Sequence, residues 1–163
     1  MSCLANIQAK IFSEEQLLKK IALWRFKDQK IVFTNGCFDL LHPGHMKVLA
    51  EAADFGDKLI VGLNADSSVK KLKGNSRPIL HENDRALLLA ALQPVDAVIL
   101  FSEETPKRLI ELITPDVLVK GGDYAIENIV GADWVLQHGG EVKTIDLAKG
   151  YSTTGIEAKL KGN

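Results

Sequence analysis

Five short runs of apolar residues constrain this chain more than any other feature. Residues 30–36 (KIVFTNG), 59–63, 97–101, 117–119 and 142–145 are rich in Val, Ile and Leu and show no polar alternation. Helical spacing follows several of them: Met46, Val48, Leu49, Ala52 and Ala53 after Pro43, then residues 84–92, 106–113 and 127–137. A strand with one wet face alternates apolar and polar residues, whereas a strand covered by helices on both faces reads as a continuous apolar run. The pattern therefore predicts an α/β fold, a Rossmann-like doubly wound five-stranded parallel sheet.

At 163 residues the chain suits one domain with a real core. Leu17, Leu18, Ile21, Ala22 and Trp24 are spaced as an amphipathic helix over residues 13–26. Residues 1–29 are thus expected as an N-terminal helical extension and 30–163 as the α/β domain. The connection 70–83 is rich in Lys and Arg and carries the breakers Gly74, Asn75 and Pro78, which predicts a mobile basic loop.

Charge and composition exclude several functions. Twenty basic against 21 acidic residues leave a net charge of -1, which removes the bulk electrostatic case for nucleic-acid or anionic-membrane partners. The longest stretch free of charged residues, 86–95, is ten residues long, against about 20 for a transmembrane helix. The N-terminus lacks the pattern of an export signal, and Cys3 and Cys37 stand far apart without CxxC spacing. Both point to a reducing, cytoplasmic location.

Ligands of open α/β sheets bind beyond the carboxyl ends of the strands, so the loops there carry the chemistry. No glycine is followed by Lys and no two glycines flank a single residue, which excludes the Walker A loop and GxGxxG. After the first strand comes N-G-C-F-D-L-L-H-P-G-H, residues 35–45. Proline favours the first helical position, so Pro43 makes His42 the N-cap and places His45 in the first turn, beside free backbone N–H groups. Two imidazoles there can donate to a phosphate while Gly44 permits close approach. A capping histidine with an incidental neighbour is the alternative. A zinc site lacks both the HExxH glutamate and further ligands, so no protein metal ligand is expected.

The run Gly36-Cys37-Phe38-Asp39-Leu40-Leu41-His42-Pro43-Gly44-His45 resembles the G-x-F-D-x-x-H-x-G-H signature of the cytidylyltransferase-like nucleotidyltransferases. The resemblance extends over about residues 31–160. L-K-G at 72–74, R-P at 77–78, V-K-G-G-D-Y at 119–124 and S-T-T-G at 152–155 are similar to its heptose 1-phosphate adenylyltransferase branch. It implies an HxGH-type nucleotidyltransferase with His42, His45 and Lys73 catalytic. It further implies a nucleotide site of Asn35, Gly36, Cys37, Phe38, Asp39, His42, Gly44, His45, Lys120, Gly121, Gly122, Asp123, Ser152, Thr153 and Thr154. Lys73, Arg77 and Arg85 are the implied substrate phosphate ligands.

Read by themselves, Ser152, Thr153 and Thr154 suit a phosphate cradle or a plain N-cap, and Gly121 and Gly122 suit a close backbone approach or a turn. Cys37 has no evident histidine base and reads as packing. The implied reaction is adenylyl transfer from ATP, with Mg²⁺, to D-glycero-β-D-manno-heptose 1-phosphate. The implied assembly is a homodimer served by a separate sugar kinase, since the chain resembles the stand-alone form of a domain often fused to one. A cytidylyltransferase for glycerol 3-phosphate or another phosphorylated small molecule, an FMN adenylyltransferase and a nucleotide-binding regulatory module remain open. Against cytidylyl transfer, residues 146–151 lack the R-T-E-G-I run.

Overall fold

The computed structural model of the chain describes residues 2–122, 124–146, 153, 155 and 156. Two helices, α1 (Cys3–Gln8) and α2 (Glu14–Phe26), precede β1 (Ile31–Gly36), α3 (Pro43–Ala53), β2 (Lys58–Asn64), α4 (Asp66–Lys73) and α5 (Glu82–Ala90). Then follow β3 (Ala97–Phe101), α6 (Lys107–Ile113), β4 (Val117–Gly121), a 3₁₀ turn (Ile126–Asn128), α7 (Ala132–Gln137) and β5 (Glu141–Ile145). The sheet is parallel throughout in the order β3-β2-β1-β4-β5. The doubly wound five-stranded sheet expected from the apolar runs is present.

Period-2 geometry divides each strand between two cores. Ile31 and Phe33 of β1 face one layer with Ile60, Ile99 and Leu118, covered by α2, α6 and α7. Val32 faces the other with Leu59, Val61 and Val98, covered by α3 and α5. Helix α2, begun by a Ser13–Gln16 capping box, contributes Leu17, Ile21 and Trp24 to the first core. Ahead of it, the Phe12 amide donates to Val98 O at 2.9 Å and the Val98 amide to Lys10 O at 2.8 Å. The boundary drawn at 29/30 marks a change of sequence pattern, while the packing runs across it.

Two local expectations are corrected and one helix is added. Residues 3–8 form a helix that the apolar spacing did not reveal. The helix expected over 127–137 is a 3₁₀ turn followed by α7, because Ile129 is extended after the turn and Gly131, at φ +82°, takes a left-handed conformation ahead of α7. The connection 70–83 is no free loop. Its first part belongs to α4, and residues 77–80 are held by Asp39, which accepts from Arg77 Nη1 at 2.8 Å, Ile79 N at 2.7 Å and Leu80 N at 3.1 Å. Among the described residues, no helix is long and apolar enough to cross a membrane.

Candidate active site

The chain winds outward from β1 to β2 and β3, then crosses back to place β4 and β5 on the other side of β1. The crevice beyond the carboxyl ends of β1 and β4 is the topological switch point, where an open α/β sheet leaves room for a ligand. Asn35 and Gly36 end β1 there, and Lys120 and Gly121 end β4. A cavity of about 180 Å³ opens between them, walled by residues 34–39, His45, Val48, Lys73, Lys120, Gly121 and Thr153.

Local sequence dictates the wall. Phe38 takes φ +43°, unusual for a bulky residue and costly by roughly 1–3 kcal/mol. The turn it makes buries Asp39 and sets the Phe38 ring beside His45, with ring centroids 5.1 Å apart. Pro43 opens α3 and His42 is its N-cap, as the sequence predicts. The His42 Nδ1 accepts from the His45 backbone N–H at 3.3 Å, so the ring proton of neutral His42 sits on Nε2. The two imidazoles stack at 3.7 Å with planes 17° apart. Capping and function are therefore compatible: one nitrogen of His42 holds the helix while the other remains a donor.

Burial is the first cause of a His45 pKa pushed down to about 4, helped by the charges of His42 and Lys73 and opposed by the Leu40 carbonyl. Its Nδ1 is buried and has no hydrogen-bond partner among the described residues. Burial also lowers the pKa of His42, against a contribution from its own backbone. Both rings are thus neutral near pH 7 and offer N–H groups rather than charge.

Positive charge comes from two lysines. Exposed Lys73, the last residue of α4, and half-buried Lys120, near the end of β4, both line the cavity. Neither ammonium is bonded to another described residue. Burial lowers the pKa of Lys120, opposed by Cys37, and burial raises that of the Cys37 thiol, opposed by Lys73, Arg85 and Lys120. Cys37 therefore lines the cavity as a protonated thiol.

The arginines differ from expectation. Arg85 is 1% exposed. Its Nε donates to Leu80 O at 3.0 Å, Nη1 to Cys37 O at 2.6 Å and Asn64 O at 2.9 Å, and Nη2 to Asp66 Oδ1 at 2.7 Å. A guanidinium committed to four protein acceptors, and absent from the cavity wall, ties the segment after β1 to β2, α4 and residues 77–80. The structure thus gives Arg85 a different place from the phosphate ligand implied by resemblance, because Arg85 falls on the buried face of α5 with Ala86, Leu89 and Ala90. Arg77 pairs with Asp39 and, with Lys73, Ser76 and Thr153, lines an adjoining space of about 370 Å³. Burial works to raise the Asp39 pKa, but the Arg77 bond and the Leu80 and Ile79 amides hold it below the usual carboxylate range. Asp39 is consumed by the loop it clamps.

Of the other implied residues, Gly44 is buried in the first turn of α3 and Gly122 turns the chain after β4 at φ +124°. Thr153 reaches the cavity; Asp123, Ser152 and Thr154, with the helical pattern after them, lie outside the described residues apart from Gly155 and Ile156. Sequence reasoning missed Pro106 and Asn128, which line a neighbouring space with Asn35 and Lys120. No local pattern marks them, since they meet only through the fold. Among the described residues no group of three His, Cys, Asp or Glu side chains is placed to hold a metal ion.

A parallel sheet with a cavity at its switch point, lined by His45, Lys73 and Lys120, defines an α/β protein of the ligand-binding, doubly wound kind. The chain belongs to the cytidylyltransferase-like family, whose model matches residues 33–156, and with it to the nucleotidyltransferases. It is 54% identical over 152 residues to the bifunctional protein HldE of Koribacter versatilis, covering 93% of this chain and 31% of that protein. It is 56% identical over 153 residues to HldE of a Bradyrhizobium species, covering 94% and 31%. The chain thus spans about a third of the length of these curated relatives. A lipopolysaccharide core biosynthesis protein from Thermoplasma volcanium superposes with a TM-score of 0.58 at 30% identity, over 76% of this chain and 99% of that one. The pantoate-beta-alanine ligase of Francisella tularensis shares the fold, with a TM-score of 0.59 at 17% identity over 93% of this chain and 76% of that one.

Proposed function

We propose that the chain transfers the adenylyl group of ATP to D-glycero-β-D-manno-heptose 1-phosphate, releasing pyrophosphate and forming ADP-heptose. The observation that carries the transfer chemistry is the His42–His45 stack at the N-terminus of α3, in which His45 lines a cavity that Lys73 and Lys120 also line. The sugar is supported by the V-K-G-G-D-Y and S-T-T-G resemblance and by the likeness to HldE and to a lipopolysaccharide core biosynthesis protein.

A phosphate monoester is already an anionic nucleophile, so its oxygen attacks the α-phosphorus directly as the bond to the β-phosphate breaks. Positioning and charge neutralisation then supply the catalysis. His42 and His45 donate to the transition-state oxygens, and Lys73 and Thr153 receive the outer phosphates. Residues 35–39, Gly44, Gly121 and Gly122 supply close backbone approach to the nucleotide, joined in this reading by Asp123, Ser152 and Thr154. Family members of this kind use ATP with a divalent metal. Asp39 is engaged by Arg77 and two amides, so the Mg²⁺ of this reading enters as MgATP, where it offsets triphosphate charge. A homodimer, a separate source of the sugar phosphate and a cytoplasmic location complete the proposal.

The test offers ATP and CTP with the heptose 1-phosphate and scores pyrophosphate release. ATP is expected to support turnover well and CTP poorly, since a base-reading site can discriminate by about 10⁴-fold in favourable cases. A CTP value of kcat/KM equal to or above that of ATP would move the assignment to a cytidylyltransferase, and no turnover with either would favour a regulatory module. α-Labelled ATP without acceptor should leave no label on the denatured protein; stoichiometric labelling lost in Cys37→Ser would replace direct attack with a covalent route.

A further inference from the structure

Helix α2 carries two apolar stripes. Leu17, Ile21 and Trp24 point into the core, and further round the helix Leu18, Ala22 and Phe26 repeat at intervals of four, with Leu23 beside them. This second stripe faces water. Leu18 is 38%, Leu23 46% and Phe26 85% exposed, the last being the highest value for any large apolar side chain among the described residues, and Ala22 is exposed as well. The stripe is held outward. Arg25 Nη2, in the last turn, donates to Ile113 O and Thr114 O at 2.7 Å each, and Glu14, in the first turn, pairs with Arg108. A helix pinned at both ends cannot roll its outer face into the core, and a contiguous exposed apolar stripe marks a docking surface.

The charges of the helix select its occupant. Glu14 and Glu15 open it, Arg25 and Lys27 end it, and Lys27 has no bond to another described residue. A second copy laid parallel would set acid against acid and base against base. Laid antiparallel about Ala22, it brings the acidic end of each helix to the basic end of the other, opposes the two dipoles and packs Leu18 of one copy against Phe26 of the other. The small side chain at the crossing lets the axes approach to about 8–10 Å. Covering the stripe on both copies removes roughly 700 Å² of apolar surface, and at about 60% apolar content the whole contact comes to roughly 1,200 Å², the lower edge of a standard interface. That size suits a reversible, concentration-dependent dimer.

We propose that the outer stripe of α2, formed by Leu18, Ala22, Leu23 and Phe26, is a two-fold docking face on which a second copy of this chain lays its own α2 antiparallel. The proposal rests on the homodimer of the reading above and gives that homodimer its interface; none of these residues lines the cavity.

The test is analytical ultracentrifugation of the full chain over a range of concentrations. Wild type should pass from monomer to dimer in the micromolar range. Phe26→Lys should raise the dissociation constant roughly 30-fold or more, because it removes a central aromatic and sets a charge beside Lys19 of the other copy. Since Phe26 is exposed, the thermal midpoint of the diluted variant should stay within about 2 °C of wild type. Ala22→Cys in a Cys3→Ser background should cross-link two copies on oxidation with diamide, because facing Cα atoms at the two-fold fall within the roughly 4.4–6.8 Å that a disulfide spans. Leu18→Cys in the same background faces Phe26 and should not. A dimer unmoved by Phe26→Lys would overturn the face while sustaining the homodimer, and a dimer without the Ala22→Cys cross-link would overturn the antiparallel arrangement. A wild type that stays monomeric would refute face and homodimer together, and a monomer that binds a purified sugar kinase through Phe26 would assign the stripe to that partner instead. Pyrophosphate release is scored on the same samples, so failure of the transfer reading shows independently of the association state.

Discussion

Two regions of the site are built from the same kind of residue and use it in opposite ways. On the cavity wall, Lys73 and Lys120 present ammonium groups with no bond to a described residue. Behind the wall, Arg85 is buried against four acceptors and Arg77 is joined to a buried Asp39. A lysine needs one flexible stem to meet a phosphate as a point charge, whereas the planar guanidinium binds several fixed carbonyls at once. Cations that face the ligand must remain available. Those that hold the loop must be fully satisfied, because a buried unpaired charge is costly.

Arg85→Met should break this contrast most severely. It strands Asp66 and three carbonyls and is expected to cost about 3–5 kcal/mol, lowering the thermal midpoint by roughly 10 °C. Unchanged stability with a raised KM for a phosphate substrate would return Arg85 to the ligand side.

His45→Ala should lower kcat about 10²-fold or more, equivalent to about 2.7 kcal/mol, while unfolding stays cooperative. His42→Ala should show a similar fall in kcat together with a loss of about 1 kcal/mol of stability, because it also removes the α3 cap. Chemical denaturation alongside single-turnover rates separates the two contributions.

Lys73→Ala sharpens the comparison from the other side. Its kcat/KM is expected to fall roughly 30-fold, about 2 kcal/mol, with stability within about 0.5 kcal/mol of wild type. A large loss of stability would place Lys73 among the supports.

The smallest effect concerns protons. An unfolded histidine titrates near about 6.5, whereas folded His45 titrates at about 4. Between these values the unfolded chain takes up a proton that the folded chain refuses. Stability is therefore full above pH 6.5 and is lost progressively as the pH falls toward 4. Allowing for the partial exposure of the ring, the loss is about 1 kcal/mol. His45→Asn should flatten this part of the stability profile measured by denaturant titration; an unaltered slope would place the proton elsewhere.

The amino-acid sequence determined the sheet, its parallel sense and the helix start at Pro43, because strand burial and proline geometry are local or periodic properties. It also determined that His42 caps α3, since cap and capped amide are three residues apart. Which cations face the ligand was decided only by tertiary structure. Arg77 and Arg85 look as available as Lys73 in one dimension, and their partners are remote: Asp39 lies 38 positions from Arg77, and Cys37 O lies 48 from Arg85. Likewise, Trp24 reads as part of an appendage until packing places it in the core, and Asn35 and Asn128 meet only because the chain crosses back beside β1. Spacing along a chain reports contacts within one element, whereas the saturation of a buried charge depends on groups brought together from several.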